Sequence, residues 1–264
     1  MAAAGSGNRQ DGRMHLIQGP PEDDPAVELA ISLALVRQAS RGDIENALRV
    51  YHPSRRVVAF GRRETRLRGF PAAVRVARES GFEPVVRSVG GRAVAYTETA
   101  LVVDVVGRAE ASPMGMDQRF DDFGAQYARA LRELGVDARV GAVPGEYCPG
   151  AQSVNARGVA KLIGTAQRVI RDAWLFSALV VVTDHEALVP VLGEVYRTLE
   201  QPFDEDSVGS VTAEVPGVRP STVETALVDS HRQGEAFELV DLAASTWDLA
   251  HELAADHRVP ATPR

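Results

Sequence analysis

The sequence predicts an α+β domain, a mixed and mostly antiparallel sheet flanked by helices. Three observations predict it. Short β-like runs cluster between Ala47 and Thr183, and stretches with apolar residues at helical spacing lie before, between and after them. Ala173 to Thr183 (AWLFSALVVVT) is an almost continuous apolar run, suited to a strand buried on both faces. With 264 residues, 45% of them hydrophobic, the chain is long enough to bury a sizeable core.

Each element follows in order. Residues 1–14 are small, polar and aperiodic, and read as a disordered leader. Asp24 and Pro25 open the apolar-periodic stretch DPAVELAISLALVRQAS, where a carboxylate can cap free N–H groups and a proline fits the first turn, so a helix is expected. ALRVY (Ala47 to Tyr51) and RVVAFG (Arg56 to Gly61) read as strands, and Phe70 to Gly81 as a second helix ending at a glycine suited to a left-handed cap. PVVRS, RAVAYT and TALVVDVVG follow as strands, with VGG as the turn between the first two. Asp117 to Val136 is a long amphipathic helix closed by Gly135, after which ARVGAV and AKLIGTAQR (Ala160 to Arg168) return to β structure. His185 to Glu200 reads as helix and Gln201 to Pro220 as a Pro/Gly/Ser-rich connection. STVETALVDSHRQG and EAFELVDLAASTWDLAHELAADH read as two C-terminal helices.

Composition removes several function classes. A net charge of −7 argues against a general nucleic-acid binder, which needs a basic face for phosphates. No apolar run is long enough to span a membrane, and MAAAGSGNRQDGRMH lacks the apolar stretch of a signal peptide, so a cytoplasmic protein is expected. One cysteine makes no internal disulfide, and with six scattered histidines it offers no metal-ligand spacing. The local basic run GRRETRLRG (Gly61 to Gly69) reads most simply as a solvated loop or helix edge, and more sharply as a docking patch for an acidic partner protein.

Two glycine segments and one lysine carry the chemistry. VVRSVGGRAVAY (Val85 to Tyr96) sets two glycines between strands, either as a plain hairpin turn or where backbone N–H groups approach a ligand. In AKLIGTAQR a glycine interrupts a strand, the mark of a bulge or of a close approach by another chain. Lys161 is the only lysine in a chain with 29 Lys+Arg, downstream of Cys148, the only cysteine. A lysine differs from arginine in that burial moves its pKa, so it can exchange protons; the plainer alternative is a surface lysine left by compositional drift. Cys148 sits in GEYCPG, whose glycines and prolines describe an irregular loop; the plainer alternative is a small buried hydrophobe. Trp174 and Phe176 read as core packing.

Together, RSVGGRAV and AKLIGTAQR, separated by a helix, resemble the two signature blocks of the lipoate/biotin protein ligase superfamily. The resemblance covers about Asp24 to Thr183 and implies a class II synthetase-like α/β catalytic domain whose glycine segments and lysine line an acyl-chain tunnel. It implies residues 15–200 as that catalytic domain, with 201–264 as a helical segment packed on it. Arg87, Gly90, Gly91, Arg92, Ala93, Gly164, Thr165, Ala166 and Gln167 carry over as substrate-binding positions, and Cys148 and Lys161 as catalytic ones. Arg92 replaces a third glycine, and RDAWLFSA has no histidine, both unlike ATP-dependent ligases; GEYCPG is similar to the loop of the cysteine-dependent octanoyl-transferring enzymes. Departures are Val89 before the glycine pair, Ser153 where an acidic residue is common, and a Cys-to-Lys loop one residue longer.

The resemblance implies protein lipoylation. An octanoyl or lipoyl group would pass from a carrier, the glycine-cleavage H protein or an acyl carrier protein, through a Cys148 thioester to the lysine of a lipoyl domain in a 2-oxoacid dehydrogenase. Lys161 would hold the thiolate and the oxyanion, backbone N–H groups near Gly164 and Thr165 would assist as oxyanion donors, and Arg87 and Arg92 would order the loop or meet acidic carriers. No cofactor, nucleic acid or membrane is implied, and a monomer is expected. The alternative is an ATP-dependent lipoate-protein ligase, which needs ATP and magnesium; a non-catalytic binding protein of the same fold is the third reading.

Overall fold

The structure, a computed structural model, describes residues 14–19, 21–108, 113–232 and 237–259. In chain order the elements are β1 (His15–Gln18), α1 (Pro25–Arg41), β2 (Asn46–Tyr51), β3 (Val57–Phe60), α2 (Phe70–Glu79), β4 (Glu83–Val86), β5 (Val94–Tyr96) and β6 (Leu101–Arg108). After them come α3 (Pro113–Glu133), β7 (Ala138–Val140), β8 (Val154–Ala156), β9 (Ala160–Ile170), β10 (Ala173–Val180) and α4 (Leu188–Thr198). The chain closes with a short α5 (Val211–Glu214), α6 (Pro220–Ser230), β11 (Glu238–Leu239) and α7 (Ala244–Leu253).

Among the described residues, eight strands form one sheet in the order β11, β1, β2, β6, β10, β9, β8, β7, and β4, β3, β5 form a second. The large sheet is parallel at β11, β1 and β2 and antiparallel elsewhere, so the mixed, mostly antiparallel architecture is as the sequence predicts. Strand alternation sorts the core: Val103 and Val105 of β6 pack with Tyr127 and Leu131 of α3 and Leu227 of α6, while Val106 packs with α1. Helix α1 starts as expected, Asp24 accepting from the Ala26 N–H at 3.0 Å, and Gly42 ends it at φ +86°. Its apolar residues bury it between the sheet and α7. The small sheet packs with α2 and α4 into a third cluster around Phe60, Phe70 and Tyr196. No helix among the described residues is long and apolar enough to cross a membrane.

Several expectations are corrected. Strands β1 and β11 have no counterpart in the sequence reading, and β11 falls inside the stretch taken as one helix from Glu235. Two residues carry too little periodicity to register as a strand; their backbone is satisfied instead by a distant partner, with Glu238 N–H donating to Met14 O and Val240 N–H to Leu16 O. Segment 201–264 is therefore not helical throughout. Nor is it simply packed on the outside, because Val208 bridges Lys161 and the N–H groups of Val211 and Thr212 donate to Val181 and Val182. The leader expected at 1–14 lies outside the described residues apart from Met14. In β9 the irregular register falls before the glycine: Val154 faces Ile163 while Asn155 faces Lys161.

Candidate functional site at Cys148

The loop between β7 and β8 is shaped by its own turn residues. Gly145 has φ +72°, and a Cβ there would collide with Asp204, whose N–H donates to Gly145 O at 2.8 Å. Glu146 follows, 1% exposed, and its carboxylate organises the loop. It accepts from Val143 N–H at 3.1 Å, Gly150 N–H at 3.3 Å and Ser153 Oγ at 2.7 Å, and pairs with Lys161 Nζ at 2.9 Å. Ser153, noted as a departure from the family pattern, is thus a donor to the buried Glu146 carboxylate.

Cys148 adopts φ +43°, in the left-handed region that a non-glycine residue occupies only at a cost. Tyr196 holds it there: its Oη accepts the Cys148 N–H and donates to Ala93 O at 2.9 Å, stitching the cysteine loop to the residue that leads into β5. The sulphur accepts from Arg87 Nη2 at 3.1 Å and from the Arg92 N–H at 3.2 Å. Arg87 also donates to Arg92 O, so one guanidinium holds both the glycine turn and the thiol. Burial by itself pushes the thiol's pKa up. The Arg87 guanidinium, then the Lys161 ammonium, and the hydrogen bonds from Arg92 N–H and Arg87 together outweigh it and hold Cys148 below its ordinary value.

Gly91 is required between them. It has φ +103°, and a Cβ there would lie 2.6 Å from Cys148 Sγ and inside the Arg87 guanidinium. Gly90 N–H donates to Gln167 O at 3.3 Å, which docks the turn on the free edge of β9. Strand alternation then decides which backbone groups of β9 are available. Gln167, and with it Thr165, points its N–H and C=O to that free edge, whereas Gly164 and Ala166 point theirs toward β10.

The single lysine is in a different place from the one its charge suggested. Lys161 Nζ donates to Tyr147 O at 3.0 Å and Cys148 O at 2.8 Å besides pairing with Glu146, and it lies 4.9 Å from the centroid of the Tyr147 ring. Its three protons are committed to the loop, and the cation against the sulphur is Arg87. Gly164 leaves room for that side chain, a Cβ there lying 3.2 Å from Lys161 Cε. Gln167 is turned away from the thiol, its side chain held by Met116 O and Arg119 Nε, each at 2.9 Å. Ala93 and Ala166 are buried. Phe176 is core, with its ring 4.6 Å from that of Phe123, as expected; Trp174 stacks under Arg119.

The thiol stands between two spaces. Inward, Arg87 lines a narrow cavity of about 50 Å³ between α1, the large sheet and the small sheet, with Leu29, Val94, Tyr96, Leu175 and Leu179 among its walls. Outward, Gly91, Arg92 and Pro149 line an open cleft of about 630 Å³ whose far wall is Arg62, Arg63 and Leu67. That wall is the basic run noted in the sequence: a 3-10 turn, Glu64–Arg66, in which Glu64 is buried and the surrounding arginines are exposed.

The geometry is that of an α+β domain with a cationic cradle around a loop cysteine, beside a narrow cavity. The sequence profile of the lipoyl protein ligase A/B catalytic domain matches residues 24–232, and the chain belongs to that family. Among curated relatives it is 27% identical over 151 residues to an octanoyl-[GcvH]:protein N-octanoyltransferase of Geobacillus kaustophilus, covering 57% of this chain and 53% of the relative. It is 23% identical over 205 residues to the same kind of enzyme from Bacillus velezensis, covering 77% of this chain and 69% of the relative. The chain thus aligns with only about half the length of the first of these. Among solved structures, a lipoate-protein ligase A bound with ATP is similar with a TM-score of 0.72 at 25% identity, over 93% of this chain and 95% of that one.

Proposed function

We propose that the protein is an acyltransferase that moves an octanoyl or lipoyl group from a carrier protein to a lysine of a lipoyl domain, through a thioester on Cys148 and without ATP. The observation that carries this reading is the sulphur itself, held by Arg87, which lines the inner cavity, and by the N–H of Arg92, which lines the open cleft. The relatives named as octanoyl-[GcvH]:protein N-octanoyltransferases support GcvH as the donor.

In the first step the Cys148 thiolate attacks the acyl carbonyl, a C–S bond forms, and the donor's C–N bond breaks as its nitrogen takes a proton from solvent and leaves as the amine. In the second, the neutral amine of the acceptor lysine attacks the thioester and gives up a proton to solvent, the C–S bond breaks and the thiolate returns to Arg87. The exchange is amide for amide and needs no net energy input. Arg87 holds the thiolate, and Thr165 N–H, on the open edge of β9, is the backbone donor for the developing oxyanion. Lys161 is a positioning residue that fixes the carbonyls of Tyr147 and Cys148. Arg62 and Arg63, on the far wall of the cleft, attract an acidic carrier domain.

The test is the intact mass of the protein after incubation with octanoyl-GcvH or octanoyl-acyl carrier protein in the absence of ATP. An octanoyl adduct that hydroxylamine removes and that Cys148→Ala abolishes is the expected result. Modification of a lipoyl domain only when ATP and free lipoate or octanoate are supplied would replace this reading with the ligase one.

A further inference from the structure

The outer cleft carries a buried acid in its wall. Glu64, in the 3-10 turn of the basic run, is 3% exposed and lines the cleft together with Gly91, Arg92 and Gln201. Its Oε2 accepts the Gly61 N–H at 2.8 Å, and its Oε1 has no hydrogen-bond partner among the described residues. Two further side chains of the same cleft each hold a buried atom without a partner among those residues, Gln201 Oε1 and Arg92 Nη1. An unpaired buried polar atom is costly, and three along one cleft mark the place of a polar group.

The carboxylate stands near the thiol. Gly61, whose N–H it accepts, runs so close to the glycine turn that a Cβ there would collide with Gly91 O, and a Cβ on Gly91 would meet Cys148 Sγ. Tyr196, whose hydroxyl accepts the Cys148 N–H, has its pKa pushed up by burial and then by the charges of Cys148 and Glu64. Glu64 and the sulphur are thus neighbours across the glycine turn.

We infer that Glu64 Oε1 and Gln201 Oε1 receive the ε-amine of a carrier lysine, the nitrogen to which the acyl group passes. That the occupant is a lysine rests on the acyl-transfer reading. Two acceptors call for at least two polar hydrogens. A carboxylate drawn in by Arg62 and Arg63 brings none and would meet the Glu64 charge; a hydroxyl brings one; an amine brings two when neutral and three as the ammonium. The guanidiniums of Arg62, Arg63 and Arg92 oppose a further cation in the cleft, which favours the neutral amine that attacks a thioester. As that amine adds to the acyl carbonyl its nitrogen gains positive charge, so its hydrogen bond to a carboxylate strengthens in the transition state.

Binding measured without chemistry keeps this site apart from the transfer reaction. Calorimetry on the full chain carrying Cys148→Ala would compare an unmodified lipoyl domain with the same domain whose acceptor lysine is replaced by methionine. The lysine domain is expected to bind about tenfold more tightly. Adding Glu64→Gln keeps an acceptor for the Gly61 N–H but sets an NH2 group where the amine needs an acceptor, and should abolish the preference. The inference is overturned if the two domains bind equally, if neither binds, or if the preference survives Glu64→Gln. Should that variant not fold, Gln201→Leu decides in its place: the preference should fall about threefold, and its survival in full overturns the inference. An acyl adduct on the unaltered chain without any lysine preference would leave the transferase reading standing and sink this one; a lysine preference without an adduct would do the reverse.

Discussion

Burial raises a thiol's pKa, yet Cys148 is shifted down, because a guanidinium at 3.1 Å and an amide N–H at 3.2 Å favour the charged sulphur more than desolvation opposes it. Replacing Arg87 by Met removes the nearer cation, so the thiolate fraction falls. Alkylation of Cys148 by iodoacetamide should slow by about tenfold at pH 7, with its pH profile displaced to higher pH; an unchanged profile would mean that Arg87 does not control the sulphur. Gly91→Ala tests the other half of the cradle. The added Cβ meets Sγ and forces a left-handed residue to carry a side chain, so acyl transfer should fall by about a hundredfold while melting shows a loss of only ~1–3 kcal/mol. Of these residues, Cys148, Arg87 and Gly91 were legible from the sequence motifs. Tyr196 was not: it sits within an ordinary amphipathic helix, and only folding brings its hydroxyl to the Cys148 N–H. Glu146 lay within the quoted GEYCPG loop, and the signal that could have found it was the need of a lone buried lysine for a buried anion.

At the level of elements, the Glu146–Lys161 ion pair ties the cysteine loop to β9 beside the Lys161 hydrogen bonds to Tyr147 O and Cys148 O. Breaking a buried pair leaves an uncompensated charge, so Glu146→Gln should cost about 3–5 kcal/mol in urea unfolding, and Glu146→Gln with Lys161→Met less than the sum of the two single variants. Additive losses would show that the pair is not coupled. The basic 3-10 turn faces the cleft from outside the thiol's contacts. Arg62→Glu with Arg63→Glu should lower kcat/KM about tenfold with an acyl-carrier protein as donor and leave a small acyl-thioester donor unaffected, the difference shrinking at high salt. Equal losses with both donors would place the effect at the thiol. The helices were readable because their caps are local: Asp24, Pro25 and Gly42 act within a turn of the residues they cap. β11 was not, because its partner β1 lies more than two hundred residues away in the chain, and β1 is a four-residue strand defined only by its pairing with β2 and β11.

Across the whole molecule, two neutral histidines tie the packing to pH. Burial lowers His231 to about 4, beside the Tyr127 hydroxyl at 3.0 Å, and lowers His257 to about 4, its Nδ1 hydrogen-bonded to Val86 O. A histidine that resists protonation when folded contributes stability above its unfolded pKa of 6.5, and that contribution is lost as pH falls toward 4. Raised Asp104 and Glu28 act in the opposite sense, so the comparison must be made between variants. Relative to His231→Gln, the unaltered chain should lose on the order of 3 kcal/mol between pH 6.5 and 4 in denaturant midpoints. Parallel curves would mean that His231 is protonated in the fold.

The sequence by itself determined the α+β class, most helices with their caps, the central strands, and the two glycine blocks with Cys148 and Lys161, because periodicity, turn chemistry and motif spacing are properties of neighbouring residues. Tertiary structure alone decided that Arg87 and not Lys161 touches the sulphur, that Glu146 commits the lysine to the loop, and that Ser32 of α1 meets the buried Asp104 of β6. Those contacts join positions 61 residues apart at the thiol and 72 residues apart at Ser32 and Asp104. Strand register and the packing of α1 on the sheet bring such positions together, and a one-residue change of register would turn Asp104 to the opposite face.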